Sequence, residues 1–433
     1  MTTLAQVSPG EPKPSWEVTV PGSKSITNRL LLLAGMACGS TELTAPLVAD
    51  DTLAMISALR TLGAQVSGDD PNLQDSGVPV WTVKGLGGPP AGDVSVYCGM
   101  GATVGRFLVP MLAAGQGHFR ADAHPQLRRR PLGPVLQALR AQGTLISGEA
   151  FPLELEASGL SGGEVEVDGS ISSQFLSGLL MAAPFAREDT VLRFQTLVSR
   201  PYLDLTFDAM SAFGVMPSVH DQSVVVARSC YQPARLRVEP DASTASYFLA
   251  AAALSGTTVT LTGFDRRRTR QGDIELAGFL EQMGATVTDG ASLSLTGPEQ
   301  LRGIEADMGN SSDVFMTLAC VAVFANSPTT ITGIAHARIK ECDRIAACAG
   351  NLRRLGITVE DGPDYLRVHP GSPRALARLE TYEDHRVAMA FSLIGLRVPV
   401  LLEEPAVVAK TFPEFFSVWP CTGARVELIE AAP

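Results

Sequence analysis

The sequence repeats a short pattern in which an apolar helix end is followed by glycine and then by residues that favour a β-strand. The glycines of the six copies lie about 70 residues apart after a first gap nearer 80, and they are Gly63, Gly143, Gly214, Gly284, Gly356 and Gly423. Glycine can end a helix because it readily adopts the left-handed backbone conformation that other residues resist. An even period across the whole chain indicates internal repeats, so we expect six α/β units.

Length and punctuation predict how these units are grouped. The 433 residues, 45% of them hydrophobic, exceed the usual size of one domain, so two domains of three units are expected. Proline interrupts the pattern at Pro240-Asp241, and Pro21-Gly22 ends a short N-terminal strand that we expect to pair with the second half of the chain. The predicted domains are therefore residues 1–21 plus 241–433, and residues 22–240, with ligands in the cleft between them.

Composition argues against several classes of protein. The formal net charge of −11 disfavours a nucleic-acid surface. Seven cysteines without a CxxC pair are typical of a reduced intracellular protein, and six scattered histidines show no metal-ligand spacing. The N-terminus lacks the pattern of a secretory signal, and no apolar run reaches the thickness of a bilayer. We therefore expect a cytoplasmic protein without a metal cofactor and without a membrane partner.

The run from Pro21 to Arg29 carries the first candidate binding groups. If Ser25 caps the following helix, the free amides of the first turn and the positive end of the helix dipole attract anions. Arg29 stands four residues after Ser25 on the same helix face, and Lys24 lies beside them. An ordinary capped helix with a solvated basic start explains the same residues, so both interpretations stay open at this point.

Further clusters place cations and hydroxyl groups before helices. Arg130 ends an arginine triplet before a proline that suits a first helical turn, and Ser172, Ser173 and Gln174 precede an apolar helix. Charges of both signs interleave at 338–344 and 382–386, and Lys410 precedes another proline. Each cluster alone is explained by capping or by a solvated helix face.

Two carboxylates complete the candidate chemistry. Asp313 is flanked by serines before an apolar helix, and Glu341 lies among cations. N-terminal capping explains Asp313 equally well, but paired carboxylates beside cations are also what proton transfer to and from an anionic substrate requires. The residues together indicate a two-domain α/β enzyme for small substrates that carry several negative charges.

The ordered motifs resemble one family, the 5-enolpyruvylshikimate-3-phosphate synthases among the enolpyruvyl transferases. The resemblance runs from Val18 to Phe416 and rests on the following segments: 21–29, Arg130-Pro131, 168–175, 199–202, 340–344, 384–386 and 410–413. It implies transfer of the enolpyruvyl group from phosphoenolpyruvate to the 5-hydroxyl of shikimate 3-phosphate, with release of phosphate, in the shikimate pathway to aromatic amino acids. It also implies an inside-out α/β barrel of six βαβαββ repeats, three in each domain, and no metal or organic cofactor.

The resemblance implies a role for each matching residue. Proton transfer falls to Asp313, Glu341 and Lys24, with His385 and Asp384 as orienting residues. The expected contacts of shikimate 3-phosphate are Lys24, Ser25, Arg29, Ser172, Ser173, Gln174, Ser199, Tyr202, Asp313, His336 and Lys340. The expected contacts of phosphoenolpyruvate are Lys24, Ala102, Arg130, Gln174, Arg344, His385, Arg386 and Lys410.

Four positions depart from the family pattern. Ala102 replaces a glycine that lies against phosphoenolpyruvate, so we expect the bulkier inhibitor glyphosate to fit less well, and Gly105 is expected to relax the same loop. His336 stands where an asparagine often contacts the substrate phosphate, and Cys342 replaces a threonine. A histidine still donates a hydrogen bond.

Two other functions are compatible with parts of this pattern. UDP-N-acetylglucosamine enolpyruvyl transferase shares the fold and chemistry, but it usually has Lys-Asn where this chain has Lys24-Ser25. A non-catalytic anion-binding protein would have lost Asp313, Glu341 or Lys24, and all three are present. We also expect the chain to be a monomer that binds only its two small-molecule substrates.

Overall fold

The computed structural model describes residues 3–11, 13–69 and 77–430. The α-helices of these residues are Lys24–Met36 (α1), Asp50–Thr61 (α2), Ala102–Ala113 (α3), Pro125–Arg128 (α4), Gly133–Ala141 (α5), Ser173–Ala182 (α6), Arg200–Ala212 (α7), Ala242–Ser255 (α8), Glu275–Gln282 (α9), Phe315–Ala322 (α10), Arg344–Arg354 (α11), His385–Phe391 (α12) and Phe415–Val418 (α13). Short 3-10 helices occupy Ala183–Phe185, Gly272–Ile274, Ala335–Ile339, Ile394–Leu396, Pro405–Lys410 and Trp419–Thr422.

The strands are short and are spread along the whole chain. In the first half they are Thr3–Pro9 (β1), Ser15–Val18 (β2), Ser40–Thr44 (β3), Gln65–Ser67 (β4), Val80–Lys84 (β5), Ala91–Tyr97 (β6), Gln116–Asp122 (β7), Leu145–Ser147 (β8), Leu153–Ser158 (β9), Gly163–Glu166 (β10), Thr190–Arg193 (β11) and Ser218–His220 (β12). In the second half they are Ser223–Val226 (β13), Arg235–Arg237 (β14), Thr258–Leu261 (β15), Thr286–Thr288 (β16), Leu293–Thr296 (β17), Glu305–Asp307 (β18), Thr329–Thr332 (β19), Val359–Asp361 (β20), Leu366–Val368 (β21), Ala377–Leu379 (β22), Val400–Glu403 (β23) and Ala424–Glu430 (β24).

The chain divides into two compact units, each with its own hydrophobic core. The first unit comprises Met1–Pro21 and Pro240–Pro433, and the second comprises Gly22–Glu239. Each unit therefore buries enough apolar surface to form a core of its own.

Among the described residues, six four-stranded sheets share one pairing pattern, in which an edge strand runs parallel to its neighbour and two antiparallel pairings follow. The sheets of the first unit are β22-β23-β1-β24, β2-β15-β17-β16 and β18-β19-β21-β20. Those of the second unit are β14-β3-β5-β4, β6-β7-β9-β8 and β10-β11-β13-β12. The mixed α/β class predicted from the sequence is confirmed.

The N-terminal segment supplies strands to two sheets of the first unit. Strand β2 pairs in parallel with β15, with Trp16 opposite Val259, so the predicted pairing of this segment with the second half of the chain is confirmed. Strand β1, which we did not predict, lies between β23 and β24 and is antiparallel to both.

The six glycines that defined the repeated pattern all have positive φ angles, between 81° at Gly356 and 115° at Gly284. The left-handed conformation ends the helix before each of them, as expected from their lack of a Cβ atom.

Three helices in each unit are buried along nearly their whole length. These are α1, α3 and α6 in the second unit, and α8, α10 and α12 in the first. Helices α3 and α6 approach so closely that a Cβ atom on Gly178 would lie 2.3 Å from the carbonyl oxygen of Arg106. The residues at the ends of these helices are thereby held by a rigid core.

Three local predictions were wrong. Ser25 does not cap α1, because the helix begins at Lys24 and Ser23 occupies the N-cap position without a side-chain hydrogen bond. The helix after Pro131 begins only at Gly133. Gly105 relaxes no loop, since it lies inside the first turns of α3, where a Cβ atom would meet the ring of Phe151 at 2.8 Å.

Within the described ranges, no helix combines the length and the apolar character needed to cross a membrane.

Candidate active site

In the first unit, helix ends and short turns bring the predicted charged residues together. Asp313 lies just before α10, Arg344 begins α11, and Asp384 caps α12 by accepting a hydrogen bond from the backbone N–H of Arg386. Lys410 ends the 3-10 helix Pro405–Lys410. Because α10 and α12 are core helices, these side chains project from well-packed supports.

Arg344 is the centre of this group and is 1% exposed. Its guanidinium donates to Asp384 through Nε at 2.7 Å, to Asp313 through Nη1 at 2.8 Å and to Glu341 through Nη2 at 2.7 Å. Burial alone would lower the pKa of Arg344, but Asp384, Glu341 and Asp313 raise it above its ordinary value. The fork of a single arginine thus fixes three carboxylates in one geometry.

Asp313 is surrounded by cations. Its Oδ2 accepts from Arg386 at 2.9 Å, and Lys340 Nζ lies 3.6 Å from its Oδ1, which also accepts from Arg344. Burial raises the pKa of a carboxyl group, yet Arg386, Lys340 and Arg344 together hold the pKa of Asp313 well below its ordinary value. A carboxyl group with so low a pKa carries a negative charge at neutral pH.

Glu341 joins the same group from the turn before α11. Its Oε1 accepts from Lys410 Nζ at 3.0 Å while its Oε2 accepts from Arg344, and both Glu341 and Lys410 side chains are less than a tenth exposed. The two candidate carboxylates are thus bridged by one arginine, and Lys410 is a second cation beside Glu341.

The segment before α12 has an unusual backbone. Tyr382 and Glu383 both have φ angles near 55°, which is uncommon for residues with a side chain. This turn delivers Asp384 to Arg344 and places the buried His385 with Nδ1 3.6 Å from Asp384 Oδ1. Asp384 thus contacts Arg344 directly, and its role as an orienting residue stays a prediction.

His336 and Lys340 are two further predicted residues close to Asp313. The 3-10 helix Ala335–Ile339 carries His336, whose Nε2 is 2.6 Å from the hydroxyl oxygen of Ser312. Burial, followed by the nearby charge of Lys340, lowers the pKa of His336 to about 4. Lys340, on the same segment, has its Nζ 3.6 Å from Asp313 Oδ1.

In the second unit, Lys24 opens α1 and faces a buried acid. Its Nζ lies 3.2 Å from Asp51 Oδ2, and Asp51 is 2% exposed in the first turn of α2. Asp51 was not among the predicted residues. The only sequence signal for it was a pair of acids at the start of an otherwise apolar helix.

Arg29 is buried between helices, with only 1% of its surface exposed. It donates to Thr206 Oγ1 at 2.8 Å, to the carbonyl oxygen of Tyr202 at 2.9 Å and to that of Ser25 at 2.9 Å, and its guanidinium lies over the ring of Phe107. Burial lowers the pKa of Arg29 to about 10, so it remains a cation at neutral pH. The structure brings Arg29, Ser25 and Tyr202 together.

Arg106 organises a second group in this unit, and we did not predict it. The buried guanidinium donates to Ser172 Oγ at 3.3 Å, to Gln174 Oε1 at 3.1 Å and to the carbonyl oxygen of Pro131 at 3.1 Å. Ser172 also caps α6 by accepting from the N–H of Gln174, and Ser173 is the buried first residue of that helix. Arg106 therefore ties the serine-rich helix start to the loop that carries Arg130.

Two remaining predicted residues lie at helix starts. Ser199 precedes α7 with a left-handed φ of 53°, and Ala102 is the first residue of α3, 6% exposed. A methyl group on the neighbouring Gly101 would lie 3.0 Å from Asp51 Oδ1, so the start of α3 sits close to the partner of Lys24.

The comparisons with known proteins identify the family. The sequence model of EPSP synthase (3-phosphoshikimate 1-carboxyvinyltransferase) matches residues 12–419. The chain belongs to the EPSP synthase family. The 3-phosphoshikimate 1-carboxyvinyltransferase of Marinomonas sp. is 41% identical to this chain over 94% of this chain and 96% of its own length. The enzyme of the same name from Salmonella typhi is 42% identical over 92% of this chain and 94% of its own length. The structure of EPSP synthase from Acinetobacter baumannii superposes with a TM-score of 0.82 at 26% identity, covering 99% of this chain and all of the other.

Proposed function

We infer that the chain catalyses the reaction of its family, in which the enolpyruvyl group of phosphoenolpyruvate is transferred to the 5-hydroxyl of shikimate 3-phosphate and phosphate is released. The observation that carries this function is the Arg344 group, in which two candidate proton-transfer carboxylates, Asp313 and Glu341, are held among four cations. An acid or base needs a fixed position, and an anionic substrate needs cations beside it.

Asp313 takes the proton of the attacking hydroxyl in this proposal. The 5-oxygen forms a bond to C2 of phosphoenolpyruvate while C3 receives a proton, which gives a tetrahedral intermediate. Loss of a proton from C3 and cleavage of the bond from C2 to the phosphate oxygen then yield the enol ether and phosphate. Glu341, together with Lys24, moves protons to and from C3 and the leaving phosphate.

The cations around Asp313 make this base dependent on bound substrate. Arg386, Lys340 and Arg344 hold the pKa of Asp313 low, which makes it a weak base without ligand. The phosphate and carboxylate groups of the substrates pair with the same cations. Their negative charge therefore raises the pKa of Asp313, and with it its strength as a base, when the substrates are bound. The acid–base chemistry is thereby restricted to the loaded enzyme.

The two ligands are assigned to overlapping sets of residues. Shikimate 3-phosphate is held by the hydroxyl, amide and cationic groups predicted above, which include Ser172, Ser173, Gln174, Ser199, Tyr202, Ser25, Arg29, His336 and Lys340. Phosphoenolpyruvate is held by Lys24, Arg130, Arg344, Arg386 and Lys410, with Ala102, Gln174 and His385 beside it. Arginine suits these anions because its planar fork donates two parallel hydrogen bonds.

The finer architecture is also a proposal. We take the two units as the two domains of an inside-out α/β barrel, each built from three βαβαββ repeats, with both substrates in the cleft between them. The shared pairing of the six sheets supports the repeats, and the division of the predicted ligand contacts between the two units supports the cleft. The monomeric state and the cytoplasmic location stay predictions.

Phosphate release from phosphoenolpyruvate tests the proposal with two acceptors in parallel. We expect release with shikimate 3-phosphate and none with UDP-N-acetylglucosamine, and the reverse result would refute the assignment. The variant Asp313→Ala is expected to bind shikimate 3-phosphate while turnover collapses by about 10²–10⁴-fold, the usual contribution of a general base. Turnover retained in this variant would remove Asp313 from its role.

A further inference from the structure

Ser312 and His336 form a buried hydrogen-bonded pair whose proton chemistry the proposed reaction does not use. Ser312 is 2% exposed and His336 is 8% exposed, and the 2.6 Å between Ser312 Oγ and His336 Nε2 is a short hydrogen bond. Ser312 directly precedes Asp313 in the chain. A titratable ring is therefore locked beside the candidate base by a hydroxyl group.

Four charged groups act on His336. Lys340 follows on the same segment and Arg344 begins α11, while the carboxylates are Asp313 before α10 and Asp364, which accepts from the backbone N–H of Ala335 at 2.7 Å. Burial and then Lys340 lower the pKa of His336 to about 4, and the two carboxylates do not offset them. The imidazole is consequently neutral at physiological pH although it lies next to acids.

The hydroxyl group of Ser312 can satisfy the ring in either charge state. A serine hydroxyl donates to a neutral Nε2 and accepts from a protonated one, because it has both a proton and lone pairs. His336 can thus gain a proton without losing its buried partner. A bound dianion adds negative charge that can balance a second cation beside Lys340.

We propose that Ser312 and His336 form a proton-linked anion site, in which His336 takes up a proton from solvent when a dianionic phosphate group binds in front of His336 and Lys340. The proposal rests on the proposed function, since the phosphate is that of shikimate 3-phosphate. Binding couples two events, arrival of the dianion and protonation of the ring, and each favours the other. Affinity for the phosphorylated substrate therefore increases as the pH falls.

The expected size follows from linkage. In the pH range where the ring is neutral without ligand and protonated with it, binding takes up as much as about one proton. The dissociation constant then falls by up to about tenfold for each unit by which the pH is lowered. The phosphate group of the ligand titrates in the same pH range, so the contribution of His336 is the difference between the wild-type chain and a variant that cannot titrate.

Calorimetry in two buffers of different ionisation enthalpy measures this proton uptake directly. Shikimate 3-phosphate is titrated into the wild-type chain and into His336→Asn, whose amide still donates but cannot be protonated. We expect the wild type to take up more protons than the variant at about pH 6.5, with a smaller difference at about pH 8. Shikimate without a phosphate group is the ligand control and should give no difference.

Two further measurements separate a proton switch from a merely structural role. The ¹⁵N resonances of His336 in the wild type should change from those of a neutral ring to those of an imidazolium on titration with shikimate 3-phosphate. Ser312→Ala removes the acceptor of the Nε2 proton and should reduce the proton uptake.

Equal proton uptake by the wild type and His336→Asn, or a ring that stays neutral in the complex, would overturn this proposal while leaving the proposed function intact. No binding of shikimate 3-phosphate by the wild type would overturn both. If His336→Asn does not fold, the imidazole resonances of the wild type decide the question.

Discussion

Replacing Arg344 with lysine tests the idea that one buried arginine holds the candidate acid–base residues together. Lysine keeps the positive charge, but its single ammonium group cannot span Asp384, Asp313 and Glu341, which Arg344 contacts at 2.7, 2.8 and 2.7 Å. At least one carboxylate is then left buried without its partner, and breaking a buried ion pair in this way costs about 3–5 kcal/mol. We expect Arg344→Lys to lower the free energy of unfolding by that amount.

The pH dependence sharpens this prediction. In the wild type, the lowered pKa of Asp313 gives stability that is present above its ordinary value of 3.8 and is lost as the pH falls through the folded value. Arg344→Lys loses part of this contribution. The difference in the free energy of unfolding between the wild type and the variant is therefore largest near neutral pH and becomes smaller in acid. Urea unfolding at several pH values measures it, with Arg193→Lys as the control at an exposed pair with Glu164. A loss of unfolding free energy no larger than that of the control, or a loss that increases in acid, would refute this prediction.

Three other variants give expected outcomes. Asp273 is buried against Ser243, and burial followed by the charge of Asp313 raises the pKa of Asp273 to about 6. Above that pH the ionised carboxylate lowers the stability of the fold by up to about 3 kcal/mol. Calorimetry should therefore show that Asp273→Asn raises the Tm more at about pH 8 than at about pH 4, and an equal rise at both pH values would contradict this. Ala102→Gly should strengthen inhibition by glyphosate relative to phosphoenolpyruvate binding, and unchanged inhibition would show that the methyl group is irrelevant. Asp51→Asn removes the carboxylate beside Lys24 and should lower kcat/KM for phosphoenolpyruvate by about tenfold, which corresponds to about 1.4 kcal/mol of lost charge-assisted hydrogen bonding. The control Asp50→Asn, at the exposed neighbouring residue, should leave kcat/KM unchanged.

Much of the fold could be predicted because it is encoded locally. A glycine that must end a helix needs no long-range partner, and all six glycines of the repeated pattern adopt the left-handed conformation. Strand β1 escaped prediction because its place depends on β23 and β24, roughly 400 residues further along the chain. The polarity and spacing of β1 alone do not reveal such a pairing.

The candidate site could be predicted in its charged residues but not in their supports. Motifs drew attention to Asp313, Glu341 and Arg344, which the fold brings into direct contact. Arg106 and Asp51 were missed, because a buried charge inside an apolar helix resembles any other helix residue until its partner is known. The capping role given to Ser25 was wrong because the N-cap of α1 is Ser23, two residues earlier, and helix ends are the least certain part of a sequence-based prediction.

NMR of the reaction in D₂O follows the proposed addition and elimination at C3 of phosphoenolpyruvate. If C3 of phosphoenolpyruvate is protonated and then deprotonated, shikimate 3-phosphate should be converted to its 5-enolpyruvyl ether with deuterium in the vinyl group. Failure to consume shikimate 3-phosphate would contradict the assigned reaction. A product whose vinyl group carries no deuterium would contradict the tetrahedral route.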